Sequence, residues 1–201
     1  MSVPNIIGLT GYAGSGKDAA AKTLLDRGFV RVSFADNVRE ALLRLDPFIP
    51  VGESDFEFDG GGRRGTMQLV TRRLSEILED MDYQVAKESY PEIRRLLQRL
   101  GTDVVRQMFG DDVWVKAGFA QMEPDWFYVI TDVRFPNEGE AIRDAGGEVW
   151  RIIRPGVGPL NDHPSETLVD SVTVDRIIHN DGSLEDLEER VLELIPWLSV
   201  G

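Results

Sequence analysis

Eight residues constrain this chain more than any others: Gly11-Tyr12-Ala13-Gly14-Ser15-Gly16-Lys17-Asp18, placed directly after the apolar run IIGLT and at the head of KDAAAKTLLDR. A short apolar run closed by glycine reads as a buried strand, and the stretch behind the glycines reads as a helix over 17–27 stopped by Gly28. Between them, glycine lets the backbone wrap close to a ligand where a Cβ would clash. The amides of such a turn and the positive end of the helix dipole converge on an anion. The spacing G-x-x-x-x-G-K is that of a phosphate-binding loop (P-loop) for a nucleoside triphosphate, with Lys17 as the β/γ-phosphate contact. The rival reading is a glycine turn that only joins strand to helix; motif and context together favour phosphate. The Ser or Thr that ordinarily follows the lysine and ligates magnesium is here Asp18. A carboxylate at that place either contacts the metal, directly or through water, or is simply a favourable acid in the first helical turn.

The rest of the chain extends the same alternation. FVRVSF over 29–34 reads as a second strand, followed by a helix over 36–45 that Pro47 ends. Strand and helix in alternation imply a parallel sheet. Residues 46–65, with two prolines, a GGG run and several acids, read as a mobile loop. Two helices are expected next, one with Val70, Leu74, Ile77, Leu78 and Met81 on a stripe, the other with Ile93, Leu96, Leu97, Leu100, Val104 and Met108. A helix over 112–122, a strand over 126–131, a helix over 136–145 and a strand over 148–153 follow. A long Pro/Gly-marked loop, RPGVGPLNDHPSE, then precedes a strand over 174–179 and a last helix over 183–196.

Composition limits the functions open to such a fold. The 201 residues carry a formal charge of −13, with 22 Lys+Arg against 35 Asp+Glu, which argues against direct binding of long nucleic acid. The charge is uneven: ten acids and only Arg176 and Arg190 lie between 162 and 193, whereas eight arginines and Lys87 lie between 63 and 106. Arginine grips phosphate bidentately, so the middle can serve as a phosphate-gripping lobe, although many of these arginines also fit solvated helix faces. Zero Cys and two His exclude a thiolate zinc site, a Cys nucleophile and a histidine-rich metal site. The absence of a long apolar run leads to the expectation of a cytoplasmic protein without membrane contact.

Beyond the loop, VSFADNVR (32–39) resembles the stretch of nucleoside monophosphate kinases in which the second strand turns into a helix and an arginine meets the acceptor phosphate. LQRLGTDVVRQMFGDDVW (97–114), VITDVRFPNE (129–138) and DRIIHNDGSLEDL (175–187) look like the bacteriophage deoxynucleoside monophosphate kinase family, including its Lys-Asp pair at 17–18. The resemblance runs almost the whole length and is poorest over 46–92. It implies an α/β, three-layer P-loop fold with a five-stranded parallel sheet, a helical acceptor-binding insertion over 46–123 and a lid over 151–170. It implies transfer of the ATP γ-phosphoryl group, with Mg2+, to a deoxynucleoside monophosphate (dNMP), giving the diphosphate and ADP, in the cytoplasm of a host cell if phage-encoded. Monomer and homodimer both stay open.

Site roles follow from this resemblance and from chemistry. Gly11, Ala13, Gly14, Ser15, Gly16, Lys17 and Asp18 are expected to hold ATP. The turn Asn180-Asp181-Gly182 is implied to approach its adenine, or to cap the last helix through Asp181 or Ser183. Arg39 is the first acceptor-phosphate candidate, with Ser33 and Asp36 bordering the acceptor. Gln98, Gly101, Thr102 and Arg106 fall in the family's acceptor-binding stretch, and Trp114 either stacks on the base or belongs to the core. Asp132, at a strand end, is either near the metal or a turn or capping carboxylate; Arg134, two residues on, points across the same cleft. Arg151 and Arg154 are lid arginines, in a loop through Glu166 that closes to exclude water. No catalytic role falls to His163.

Two other activities compete. A hydroxyl-directed small-molecule kinase, such as a dephospho-coenzyme A kinase-like enzyme, would need a carboxylate base, for which Asp36 and Asp132 are candidates. A regulatory nucleotide switch would need a guanine-specificity motif such as N-K-x-D, which the chain lacks.

Overall fold

The structure, a computed structural model, describes residues 4–54, 68–160 and 162–196. The chain divides into two units, one of Met1–Asp36 with Asp111–Gly201 and the other of Asn37–Gly110.

The first unit is built on a sheet of five parallel strands. These are β1 (Ile6–Thr10), β2 (Val30–Val32), β5 (Tyr128–Val133), β6 (Glu148–Ile153) and β7 (Arg176–His179), in the order β2-β5-β1-β6-β7. Every residue of β1 is buried, as expected for a central parallel strand covered on both faces. On one face Ile7, Leu9, Val129, Trp150, Ile152 and Ile178 pack against Ala20, Ala21 and Leu24 of α1 (Lys17–Leu25). Leu187 and Val191 of α10 (Leu184–Glu193) and Ile195 complete that layer. On the other face lies α8 (Pro136–Asp144), whose Ile142 approaches so closely that a Cβ on Gly8 would sit 2.6 Å from its Cδ1. Pro136 opens α8 at its first turn, where a missing N–H costs nothing. Sheet and flanking helices give the expected three-layer α/β fold. Because all five strands run the same way, their C-terminal ends share one edge, which carries Gly11, Ser33, Asp132, Arg134, Arg154 and Asn180.

The second unit has its own core of Leu42, Ile49, Leu74, Ile77, Ala86 and Ile93. Here the structure departs from the sequence expectations. Part of the expected loop over 46–65 is strand β3 (Phe48–Ser54), paired antiparallel with β4 (Gln68–Arg73) and irregular in register between Pro50 and Gly52. The remainder of that loop, 55–67 in all, lies outside the described residues. Val70 belongs to β4 and is exposed, so the stripe expected of it on a helix begins instead at Leu74 in α3 (Leu74–Asp80). An additional helix, α4 (Tyr83–Ser89), is capped by Asp82, whose side chain accepts from the Gln84 amide at 2.7 Å. The helix expected over 93–108 is α5 (Pro91–Gln98), followed by a π-helical stretch, Arg99–Arg106, and the short α6 (Gln107–Phe109). In a π-helix each hydrogen bond spans five residues, so an apolar stripe counted at 3.6 loses phase. Ile93 is buried accordingly, whereas Val104 and Met108 are exposed.

In the first unit, α7 (Val113–Phe119) and the short pair α9 (Pro164–Thr167) and the 3-10 turn Leu168–Ser171 complete the elements. The start of α9 falls within the segment read as a loop, 154–166.

Candidate active site

The loop between β1 and α1 has the geometry that its glycines require. Gly11, Gly14 and Gly16 have φ of 140°, 79° and 105°, a region that residues with a Cβ rarely adopt. A Cβ on Gly11 would also lie 2.5 Å from the Ile152 carbonyl oxygen, and one on Gly16 would run into the Asn180 amide. Asn180 itself is buried, and its Nδ2 donates to the Ser15 carbonyl at 2.8 Å. The residue expected beside the adenine thus acts here as a brace under the phosphate loop. Ser15 Oγ is buried and makes no hydrogen bond, an unmet donor in the loop. A bound phosphate oxygen would satisfy it.

Lys17 lies folded onto this loop, its Nζ donating to the carbonyls of Gly11 at 2.6 Å and Tyr12 at 2.7 Å. Burial lowers its pKa to about 8, helped by the positive charge of Arg134 and opposed by Asp18, Glu166 and Asp132. The same interactions put Asp18, Asp132, Arg134 and Glu166 in the electrostatic surroundings of Lys17.

Asp132 is a cap. Its Oδ2 accepts from Ser33 Oγ at 2.9 Å and the Ala35 amide at 2.7 Å, and its Oδ1 accepts from the Phe34 amide at 3.0 Å. It thereby supplies acceptors for the first amides of α2 (Phe34–Leu45) from another strand. Burial pushes its carboxyl above the usual range, against the pull of those hydrogen bonds and of Arg134. Of the two sequence readings, the capping one is present, and Ser33, expected to border the acceptor, has its hydroxyl committed to it. Asp36 pairs with Arg31 at 2.5 Å.

Arg134 is held twice. Its amide donates to Glu138 Oε2 at 2.7 Å, and its guanidinium makes an ion pair with Glu166 of α9. Arg151, expected as a lid cation, instead donates from Nη2 to the carbonyls of Val169 and Val172, both at 2.8 Å, and so ties the 3-10 turn to β6. Arg154 is exposed. Trp114 is buried, which is its core reading. Ser183 caps α10, its Oγ accepting from the Asp186 amide at 3.2 Å while Asp186 accepts from the Ser183 amide at 2.7 Å. Asp181, the other capping candidate, pairs with Arg190 at 2.6 Å. A Cβ on Gly182 would strike the Asp186 carboxylate, so this glycine serves the cap.

Within the second unit, Arg39 lies over the Tyr83 ring, 5.3 Å from its centroid. Gly101 faces Val38, where a Cβ would come within 3.1 Å of Cγ1, so its lack of a side chain serves helix packing. Arg106 is buried, and Gln98 and Thr102 are half-buried, all on or beside the π-helical stretch. Sequence reasoning gave no role to Glu166, Tyr12, Asp170 or Arg31. Tyr12 donates its hydroxyl to Asp170 at 2.5 Å. The proline of DHPSE, a first-turn helix signal, was the available hint that Glu166 sits on an ordered turn.

The metal-binding potential is modest. Among the described residues no cluster of three or more His, Cys, Asp or Glu is poised to hold an ion. Magnesium that arrives with a nucleotide needs only one or two carboxylates, the phosphates supplying the rest. The exposed Asp18 in the first turn of α1, next to Lys17, fits that requirement. Among the described residues no helix is long and apolar enough to cross a membrane.

Comparison with known proteins bears on the chemistry. A family model described as deoxynucleotide monophosphate kinase matches residues 62–191. A deoxynucleoside-5'-monophosphate kinase of Escherichia phage T5 is 30% identical over 215 residues, covering 83% of this chain and 85% of that protein. A deoxynucleotide monophosphate kinase of Escherichia phage RB69 is 38% identical over 109 residues, 51% of this chain and 44% of that one. Among solved structures, a dephospho-CoA kinase from Campylobacter jejuni is 15% identical, with 98% of both chains covered and a TM-score of 0.43. Since the family model spans more than half of the chain and the T5 relative aligns along most of both lengths, this chain belongs to the deoxynucleotide monophosphate kinase family.

Proposed function

We propose that this protein transfers the γ-phosphoryl group of ATP to a deoxynucleoside monophosphate, giving the corresponding diphosphate and ADP. The observation that carries the reading is the phosphate loop: three left-handed glycines, an unmet buried Ser15 hydroxyl and Lys17, all at the C-terminal edge of a parallel sheet, in a member of this family.

The chemistry fits the residues. A monophosphate oxygen is already ionised, so its attack on the γ-phosphorus needs no general base; the bond from that phosphorus to the β,γ-bridging oxygen breaks, and ADP leaves with the electron pair. What remains is to orient anions and balance charge spread over the transferring group. Loop amides from Gly11 to Lys17 orient the triphosphate. Lys17 exchanges the Gly11 and Tyr12 carbonyls for β- and γ-phosphate oxygens, and Arg134 balances charge beside it. Arg154, exposed at the end of β6, is the lid cation. In the other unit Arg39 and Arg106 are the acceptor-phosphate cations, with Gln98 and Thr102 as base-edge donors and acceptors. Asp18 would hold Mg2+, which would neutralise charge on the β- and γ-phosphates; Asp132 acts at a distance as a cap and a negative charge.

The hydroxyl-acceptor reading requires a carboxylate available as base. Asp132 accepts three hydrogen bonds and Asp36 is in an ion pair, so neither is placed for it. The test is coupled ADP release with ATP, Mg2+ and a panel of deoxynucleoside monophosphates, ribonucleotides, dephospho-coenzyme A and sugars. Turnover with one or more deoxynucleoside monophosphates is expected; turnover confined to hydroxyl acceptors would refute the proposal.

A further inference from the structure

Arg134 is fixed from two directions that the reaction described above does not explain. Its main-chain amide is bound by Glu138, a carboxylate only 3% exposed that also accepts from the Phe135 amide at 3.0 Å. Its guanidinium is bound by Glu166, whose side chain is 8% exposed against 37% for Arg134. A carboxylate so enclosed, outside the phosphate loop and with an arginine as its partner, has a cost of burial that a surface ion pair would not bear.

The segment that carries Glu166 is itself anchored. Two Arg151 bonds hold the Val169 and Val172 carbonyls to β6, and both of those side chains are buried. Val172 reaches α8 at Gly139, where a Cβ would come within 2.9 Å of its Cγ1. Asp170, on the same segment, receives the Tyr12 hydroxyl from the phosphate loop. Glu166 is therefore presented to Arg134 by a braced support rather than by a free loop. An arginine has several rotatable bonds, and two cations side by side repel, so Arg134 next to Lys17 needs both a fixed rotamer and a counter-charge before the triphosphate arrives.

We propose that Glu166 is a positioning residue for the phosphoryl transfer, holding the Arg134 guanidinium beside the phosphate loop in the orientation in which it meets the transferring group. This rests on the functional reading above. Glu166 touches no substrate; it acts through Arg134. Removing its charge leaves the triphosphate bound by the loop but loosens the hold on the Arg134 guanidinium, which lowers turnover more than nucleotide affinity.

Steady-state kinetics with ATP, Mg2+ and the best deoxynucleoside monophosphate test this, using wild type, Glu166→Gln, Glu166→Asp, Arg134→Ala and the Glu166→Gln/Arg134→Ala pair, each checked by thermal melting. Expected are a kcat for Glu166→Gln lower by roughly 10- to 100-fold, with KM for ATP changed less than about threefold, and partial recovery in Glu166→Asp. In the Arg134→Ala background, Glu166→Gln should cause no further loss. The proposal is overturned if Glu166→Gln has wild-type or higher kcat, or if its loss persists without Arg134. Should Glu166→Gln fail to fold, Glu166→Asp with kcat at or above wild type overturns it equally. A wild-type protein that turns over no deoxynucleoside monophosphate refutes the functional reading instead, a result visible before any variant is compared.

Discussion

The phosphate loop and the Arg-rich unit of Asn37–Gly110 hold their cations in opposite ways. In the loop, geometry is imposed by the backbone: Gly11 and Gly16 admit no side chain, Asn180 braces the Ser15 carbonyl, and Lys17 is folded onto the Gly11 and Tyr12 carbonyls. In the second unit most described arginines already have company. Arg44 pairs with Glu40, Arg72 with Asp80 and Arg95 with Glu92, all largely exposed, while Arg39 lies on Tyr83 and Arg106 is buried. A count of arginines therefore overstates how many of them are available to a phosphate.

Perturbations of the two regions should separate accordingly. Lys17→Ala should lower kcat/KM by roughly 10²- to 10³-fold, measured by coupled ADP release, because it removes a charge aimed at the transferring group. Arg39→Ala should raise KM for the acceptor by about 10- to 100-fold with KM for ATP unchanged; the reverse pattern would move acceptor binding out of the second unit. Asn180→Ala should cost about 1–3 kcal/mol in denaturant unfolding, since the Ser15 carbonyl loses its buried partner. Lys17 also sets a pH dependence. Its pKa is about 8 in the free protein, and phosphates favour its charged form, so binding takes up a proton above that pH. Metal-free ATP affinity, measured by calorimetry in buffers of different ionisation enthalpy, should be flat below pH 8 and weaken above it. Arg95→Ala, at the exposed Glu92 pair, should shift stability by less than about 0.5 kcal/mol and leave both KM values alone.

The same contrast explains what the sequence disclosed. The five parallel strands and the phosphate loop were legible because each depends on local letters: an apolar run, a closing glycine, a helix start. The β3–β4 hairpin was not. Pro50 and Gly52 read as loop residues, and only pairing with a strand across residues 55–67 makes them strand, at a bulge where a proline without an N–H is tolerated. The roles of Arg151 and Glu166, and which helix Asp132 caps, were hidden for a related reason. Asp132 caps a helix 98 residues away and Arg134 meets Glu166 across 32 residues, separations that leave no periodic trace in the chain. Trp114 was undecided between core and base, and its burial places it in the core.

The central claim is that the chain hands a phosphoryl group to a monophosphate rather than to a hydroxyl or to water. It is tested most directly by following label from γ-labelled ATP in the presence of Mg2+ and each deoxynucleoside monophosphate, with Lys17→Ala alongside. The account predicts label in the deoxynucleoside diphosphate, abolished or nearly so in Lys17→Ala. Label recovered only as inorganic phosphate or on a hydroxyl acceptor would contradict it.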